Sequence, residues 1–115
     1  MADGSRVHRG PADSPIARLP ERGHVSGTGL VEAITLAPPG QPPRFSAVVT
    51  DAGQQEPGKS RDGGHPRVRL VWLGQRRVPG IAAGIRLAFE GMLFRVEGTA
   101  TIYNPRYEIL SPLEN

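Results

Sequence analysis

Residues Gly53-Gln-Gln-Glu-Pro-Gly58-Lys59-Ser60 fit the spacing GxxxxGK[ST], in which a glycine-rich loop wraps the phosphates of a nucleotide and the lysine reaches the outer ones. An apolar run ending at Asp51 stands where the preceding strand would be. The chemistry also needs a helix directly after the loop, because free amides at a helix N-terminus hold the phosphate. Arg61-Asp62-Gly63-Gly64-His65-Pro66 follows instead, a helix-breaking stretch. Alternating strand and helix units, the frame of a nucleotide hydrolase, are missing as well. The match therefore reads as coincidence, and no ATP binding is expected. Lys59 and Arg61 could still brush a phosphate backbone from a flexible loop.

Other reactive side chains are dispersed. His8, His24 and His65 stand apart, none with a second histidine or a carboxylate at metal-ligand spacing. The carboxylates are single charges near loops or on exposed strand positions, and no nucleophile sits beside a base in a recognisable elbow. The expectation is a non-catalytic protein with no cofactor and no metal. The chain has no cysteine, so disulfides and thiolate sites do not arise, and a reducing compartment is permitted. It holds neither a signal-like apolar stretch at its start nor about twenty consecutive apolar residues anywhere. That pattern reads as cytoplasmic, with no membrane partner.

The arginines are distributed with more purpose. Thirteen of the 14 basic residues are Arg, and between residues 59 and 95 eight basic side chains face only Asp62 and Glu90, although the whole chain carries a net charge of +3. A localised positive stripe raises the local concentration of polyanions. A G+C-rich coding sequence would enrich Arg too, so placement has to decide.

Placement follows from the elements. Val25-Ser-Gly27-Thr-Gly29-Leu-Val31 and Leu87-Ala-Phe89-Glu-Gly91-Met-Leu93 repeat an apolar alternation of period two around a glycine. Alternation marks strands buried on one face, and glycine within them marks a bulge or tight coil where a sheet closes on itself. Strands are predicted at about 23–36, with Gly27 and Gly29 supplying the bend, and at 44–51, 67–73, 85–97 and 100–110. A tight turn at Gly98 joins the last two. The first is long enough to pair in both halves. APPGQPP ends it as a rigid turn, and GQRRVPGIAAG, between the third and fourth, has room for one helical turn at most. Residues 1–20 are too polar and aperiodic to offset their ordering entropy and are expected to be a disordered tail. A single domain spans 21–111, residues 52–66 form a long polar loop between the second and third strands, and 112–115 fray. At 115 residues there is room for one small core and no second domain.

Alternation sends Phe45, Ala47 and Val49 inward from the second strand, and Val68, Leu70 and Trp72 inward from the third. Arg44, Arg67 and Arg69 then share the outer face with Ser46, Val48 and Val71. Phe94 and Tyr103 could turn outward nearby, while Tyr107 packs. In a five-stranded Greek-key barrel of this kind the outer face of the second and third strands is the usual place for oligonucleotides, gripped by flanking loops. An arginine ladder serving only solubility is the plain alternative.

From about Gly23 to Leu110 the chain resembles the OB-fold, as found in the wedge domain of RecG-type helicases and in anticodon-binding modules of tRNA synthetases. The segments VSGTGLV, FSAVVTD, RVRLVWLG, GIRLAFEGML and NPRYEIL carry the resemblance. The last is similar to the Asn/His-Pro-x-Tyr-x-x-Leu ending of the wedge. Trp72-Leu-Gly74-Gln75-Arg76-Arg77-Val-Pro79-Gly80-Ile81 is similar to the WLGRRxxPGI segment of free-standing bacterial OB-fold proteins. Two departures stand out: the long 52–66 loop replaces a short turn, and no helicase motor is attached. The resemblance implies an all-β, five-stranded OB-fold barrel that binds single-stranded or branched DNA, or RNA, without unwinding it. The expected contacts are Arg44, Arg67, Arg69, Arg76 and Arg77, with Phe94 and Tyr103 stacking on bases. A protein-interaction module docking on a larger partner is the rival expectation.

Overall fold

A computed structural model describes residue 16 and residues 19–51 and 66–111; the 52–65 loop, most of the 1–20 segment and 112–115 lie outside the described residues. The phosphate-loop-like stretch Gly53–Ser60 is among those outside.

Six strands run in chain order: β1 Gly23–Leu36, β2 Arg44–Thr50, β3 Arg67–Leu73, β4 Arg86–Val96, β5 Thr99–Tyr103 and β6 Arg106–Ser111. No α-helix occurs among the described residues. The strands form one sheet in the order β1-β2-β3-β5-β4-β6, and a further β1–β4 pairing closes it into a ring. All neighbours are antiparallel except β3 and β5, which run parallel.

Closure depends on β1. Its first half, Gly23 to Leu30, pairs with β4, and its second half, from Leu30 to Leu36, pairs with β2. The change of partner is accompanied by a register shift between Val31 and Ala33, so the extra residue is Glu32. The register shift thus falls at Glu32 and not at Gly27 or Gly29. Gly29 serves close approach instead: a β-carbon there would overlap the Thr50 carbonyl oxygen and Val49 Cγ1, since β1 and β2 cross tightly at that point. Gly27 and Gly29 also stand opposite Phe89 and Leu87, and both of these large side chains are fully buried. Missing side chains on one strand make room for bulky ones on the next.

Inward parity follows the sequence pattern. Phe45, Ala47, Val49, Val68, Leu70 and Trp72 are all buried in one apolar cluster with Leu87, Phe89, Leu93 and Ile102. The 74–85 connection forms no helix. Val78-Pro79-Gly80-Ile81 makes a turn in which the Ile81 amide donates to the Val78 carbonyl, with Gly80 at φ 83° as a type II turn requires. Val78 and Ile81 are buried against the core. The Val31 amide donates to the Ile85 carbonyl and the Gly84 amide to the Val31 carbonyl, which ties this connection to the bulge of β1.

Two further expectations change, and the turn at Gly98 is found. The fifth predicted strand is two: Asn104 adopts φ 52° and Pro105 has no amide to donate, so the ladder breaks between β5 and β6. The β4–β5 hairpin turns through Glu97 and Gly98, at φ 53° and 82°, the positive pair that matches strand twist in a two-residue loop. Finally, Ile16 falls within the segment expected to be a tail, yet it is buried in the core. Its amide donates to Asp51 Oδ1 at 2.7 Å, and an apolar side chain that reaches the core overrides the polar composition around it.

The crossing at Gly29 is directly testable. Gly29→Ala should destabilise the fold by about 1–3 kcal/mol through overpacking, read as a lowered urea midpoint with unchanged slope. Wild-type stability in that variant would show the crossing to be looser than described.

Candidate nucleic-acid interface

Two surfaces bring functional-looking side chains together, and they do different things. The first is the joint between the two segments that carry the sequence resemblance. Trp72, only 3% exposed, donates its indole N–H to the Pro105 carbonyl at 3.2 Å. It stacks edge-on against Phe45 and Tyr107, with centroids 5.9 and 5.6 Å apart. Tyr107 in turn donates its hydroxyl to the Pro79 carbonyl at 2.8 Å. Asn104 completes the joint: its amide donates to the Val71 carbonyl, and its Oδ1 accepts from the Leu73 amide at 2.9 Å. Asn-Pro-x-Tyr and Trp-Leu-Gly…Pro-Gly are therefore halves of one clasp. Each residue of the pattern has a mechanical task, and Trp72 and Tyr107 pack as parity implies. A shallow cleft of about 410 Å³ opens over the clasp, lined also by Gln75 and Arg106.

The second surface is the outer face of the sheet. Register connects it strand by strand: Val48 pairs with Arg69, Arg69 with Thr101, and Thr101 with Phe94. One step along, Ser46 pairs with Val71 and Val71 with Tyr103. With strands about 4.8 Å apart and residues about 3.3 Å apart along them, the backbones of Arg69, Phe94 and Tyr103 lie within roughly 10 Å of one another. Phe94 and Tyr103 are exposed, as are Leu73 and Met92. Thr101, between Arg69 and Phe94, is buried, its hydroxyl donating to the Thr99 carbonyl. Arg69 is half-buried, and its Nε is shielded from solvent without a hydrogen-bond partner. Buried N–H groups are nearly always satisfied, so this donor is conspicuous.

The other expected contacts do not join this group. Arg44 shares the face but pairs with Leu73, whereas Arg67 pairs with Thr50, six residues along β3 and about 20 Å away. The three arginines are thus on one side of the sheet without forming a cluster. Arg67 is also engaged: its Nε donates to Glu32 Oε1 at 2.9 Å and its Nη2 to Oε2 at 3.3 Å. This two-pronged bond raises the guanidinium's pKa against the opposing effect of burial. Glu32 reaches Arg67 because the bulge of β1 puts it there, which alternation alone does not foresee. Arg76 and Arg77 are exposed in the 74–85 connection, off the sheet, and neither has an ionic partner among the described residues. Val71, of outward parity, is nonetheless buried, flanked by Ser46 and Tyr103. Leu73 and Met92 are exposed apolar members of the face, each alternating with buried neighbours along its strand.

No three metal-ligating side chains gather among the described residues, and no helix is long and apolar enough to cross a membrane. No protein-family model matches the chain, and no curated protein and no solved structure matches it.

The clasp yields a pH-dependent prediction. Burial pushes the Tyr107 hydroxyl above its ordinary value of 10.0, so the folded state favours the neutral phenol. The resulting stability is fully present below pH 10 and is lost as pH rises through the raised folded value. Tyr107→Phe should cost about 1 kcal/mol at neutral pH for the lost bond to Pro79. It should also flatten the fall in melting temperature above pH 10. An alkaline transition of the same size in both proteins would assign it elsewhere.

Proposed function

We propose that the chain is a non-catalytic OB-fold protein that binds nucleic acid, preferring single-stranded or branched forms, through the outer face of its sheet. Strand order supports the fold: β1-β2-β3-β5-β4 returning to β1, with β3 and β5 parallel, is the Greek-key connectivity expected of an OB-fold barrel. The 74–85 connection stands where many such barrels place a helix, with Val78 and Ile81 filling the end of the core.

One observation carries the functional reading. Arg69 holds a buried, unsatisfied Nε beside two exposed aromatic rings on adjoining strands. With its side chain swung outward, the Arg69 guanidinium takes a phosphate oxygen in a charge-assisted bond, and unstacked bases find platforms on Phe94 and Tyr103, each such stack contributing about 1–3 kcal/mol. Arg76, Arg77 and Arg44 supply longer-range attraction around that centre. Arg67, held by Glu32, contributes less than its position suggests.

A second reading has its own support. Leu73, Met92, Phe94 and Tyr103 are exposed large apolar side chains, and an apolar exposed face suits a protein partner in a larger assembly. The two readings separate on salt: phosphate contacts weaken steeply with ionic strength, whereas apolar docking does not.

Fluorescence anisotropy with labelled single-stranded and branched oligonucleotides decides between them. Binding at low salt should fall on raising it, with a logarithmic slope of about −2 if three arginines neutralise phosphates. Arg69→Ala should weaken binding roughly tenfold, Phe94→Ala with Tyr103→Ala more, and Arg67→Ala little. Absence of binding at low salt, or indifference to Arg69, would discard the nucleic-acid reading.

A further inference from the structure

Among the described residues, the β4 side of β1 carries no strand past Val31. On its β4 side β1 is paired from Gly23 to Leu30, and Val31 continues that pairing with the 84–85 backbone. Beyond Glu32 the strand has β2 on one side and no strand on the other among the described residues, and residues 32–36 are all exposed. The direction of the free groups follows from the ladder. The Ala37 amide donates to the Arg44 carbonyl, and antiparallel pairs alternate between bonded and non-bonded. Thr35 and Ala33 therefore bond to Ser46 and Val48 across β2, and the amides and carbonyls of Ile34 and Leu36 point away from it.

The side chains of these same two residues belong by register to the inner face, opposite Ala47 and Phe45. Yet Ile34 is 39% and Leu36 54% exposed, although both partners are buried. The core row running from Ile102 through Leu70 and Ala47 ends in an isoleucine with nothing beside it. Proteins ordinarily blunt such an edge with lysine or proline within it. This one is limited only at its ends, by the Glu32 bulge and by Pro38.

We propose that the Glu32–Leu36 edge of β1 pairs antiparallel with the same edge of a second copy of this chain, joining two sheets across a two-fold axis at Ile34. The edge is self-complementary in the way an isologous interface requires. Ile34, centred on the axis, exchanges its outward amide and carbonyl with its own counterpart, and each Ala33 faces the other copy's Thr35. The only charged side chain in the segment is Glu32, already neutralised by Arg67. The two copies of Glu32 are four residues apart along the joint, about 13 Å, so no like charges meet. A basic or acidic peptide gains no ionic contact at this edge; an uncharged strand of alternating apolar residues matches it, and the chain supplies one. The pairing stands independently of the ligand reading. It would set the two outer faces side by side in one continuous sheet.

Sedimentation velocity across a concentration series, without any oligonucleotide, tests it. The full chain should show a monomer–dimer equilibrium, and Ile34→Lys should raise the dissociation constant by about tenfold or more while keeping the β-sheet circular dichroism. Leu36→Lys, at a more exposed position, gives the same answer if Ile34→Lys disturbs folding. Glu97→Lys, at the β4–β5 turn away from the edge, should leave the equilibrium unchanged. A chain that stays monomeric at every concentration, or a dimer indifferent to both lysines, would overturn the proposal. Failure of oligonucleotide binding would leave these masses unaffected.

Discussion

One strand has to satisfy two partners. β1 donates to and accepts from β4 along its first half and β2 along its second, and without that change of partner the sheet would be an open ribbon with its apolar face in water. Three local features allow it. Gly29 lets β2 come within contact of the β1 backbone, Glu32 absorbs the register shift, and the Gly84–Ile85 backbone occupies the groups of Val31 that neither neighbour reaches. A buried amide left unpaired at this junction would cost about as much as a lost core contact, so the bulge and the 74–85 connection are parts of one solution.

Much of this is legible in residues and some is not. Period-two alternation fixes which side of β2 and β3 is buried, because a side chain on the wrong face would expose the whole apolar row. It also puts Trp72 inside. Alternation carries no information on where along a strand its partner changes, so the position of the bulge, and with it the Glu32–Arg67 bond, emerges only when three strands are laid together. The same blindness explains the arginines. Arg44 and Arg67 share a face by parity, but antiparallel pairing runs β2 and β3 in opposite directions, and residues near the start of both strands are driven to opposite ends. Ile16 escaped for a different reason: composition averages over a window, whereas one apolar side chain is enough to dock a short segment.

The clasp changes the meaning of the resembling segments. Trp72 is bound to Pro105, Tyr107 to Pro79 and Asn104 to Leu73, so these residues do the mechanical work of holding β3 against the β5–β6 break. Edge-on aromatic pairs of this type add about 0.5–1.5 kcal/mol each beyond the area they bury. Residues that look like a signature of activity are here a signature of architecture.

That allocation constrains the surface. Of the six aromatic residues in the chain, Phe45, Trp72 and Tyr107 form the clasp and Phe89 fills the core, which leaves Phe94 and Tyr103 to face outward. On the proposed nucleic-acid reading, two platforms and one half-buried arginine would make a short contact, able to hold about two bases and one phosphate at its centre. A site of that size would bind weakly by itself and discriminate little among sequences, because stacking accepts any base. Gain in affinity would then have to come from more area of the same kind, and a sheet continued past β1 into a second copy, as proposed, would supply it without disturbing either the clasp or the ring.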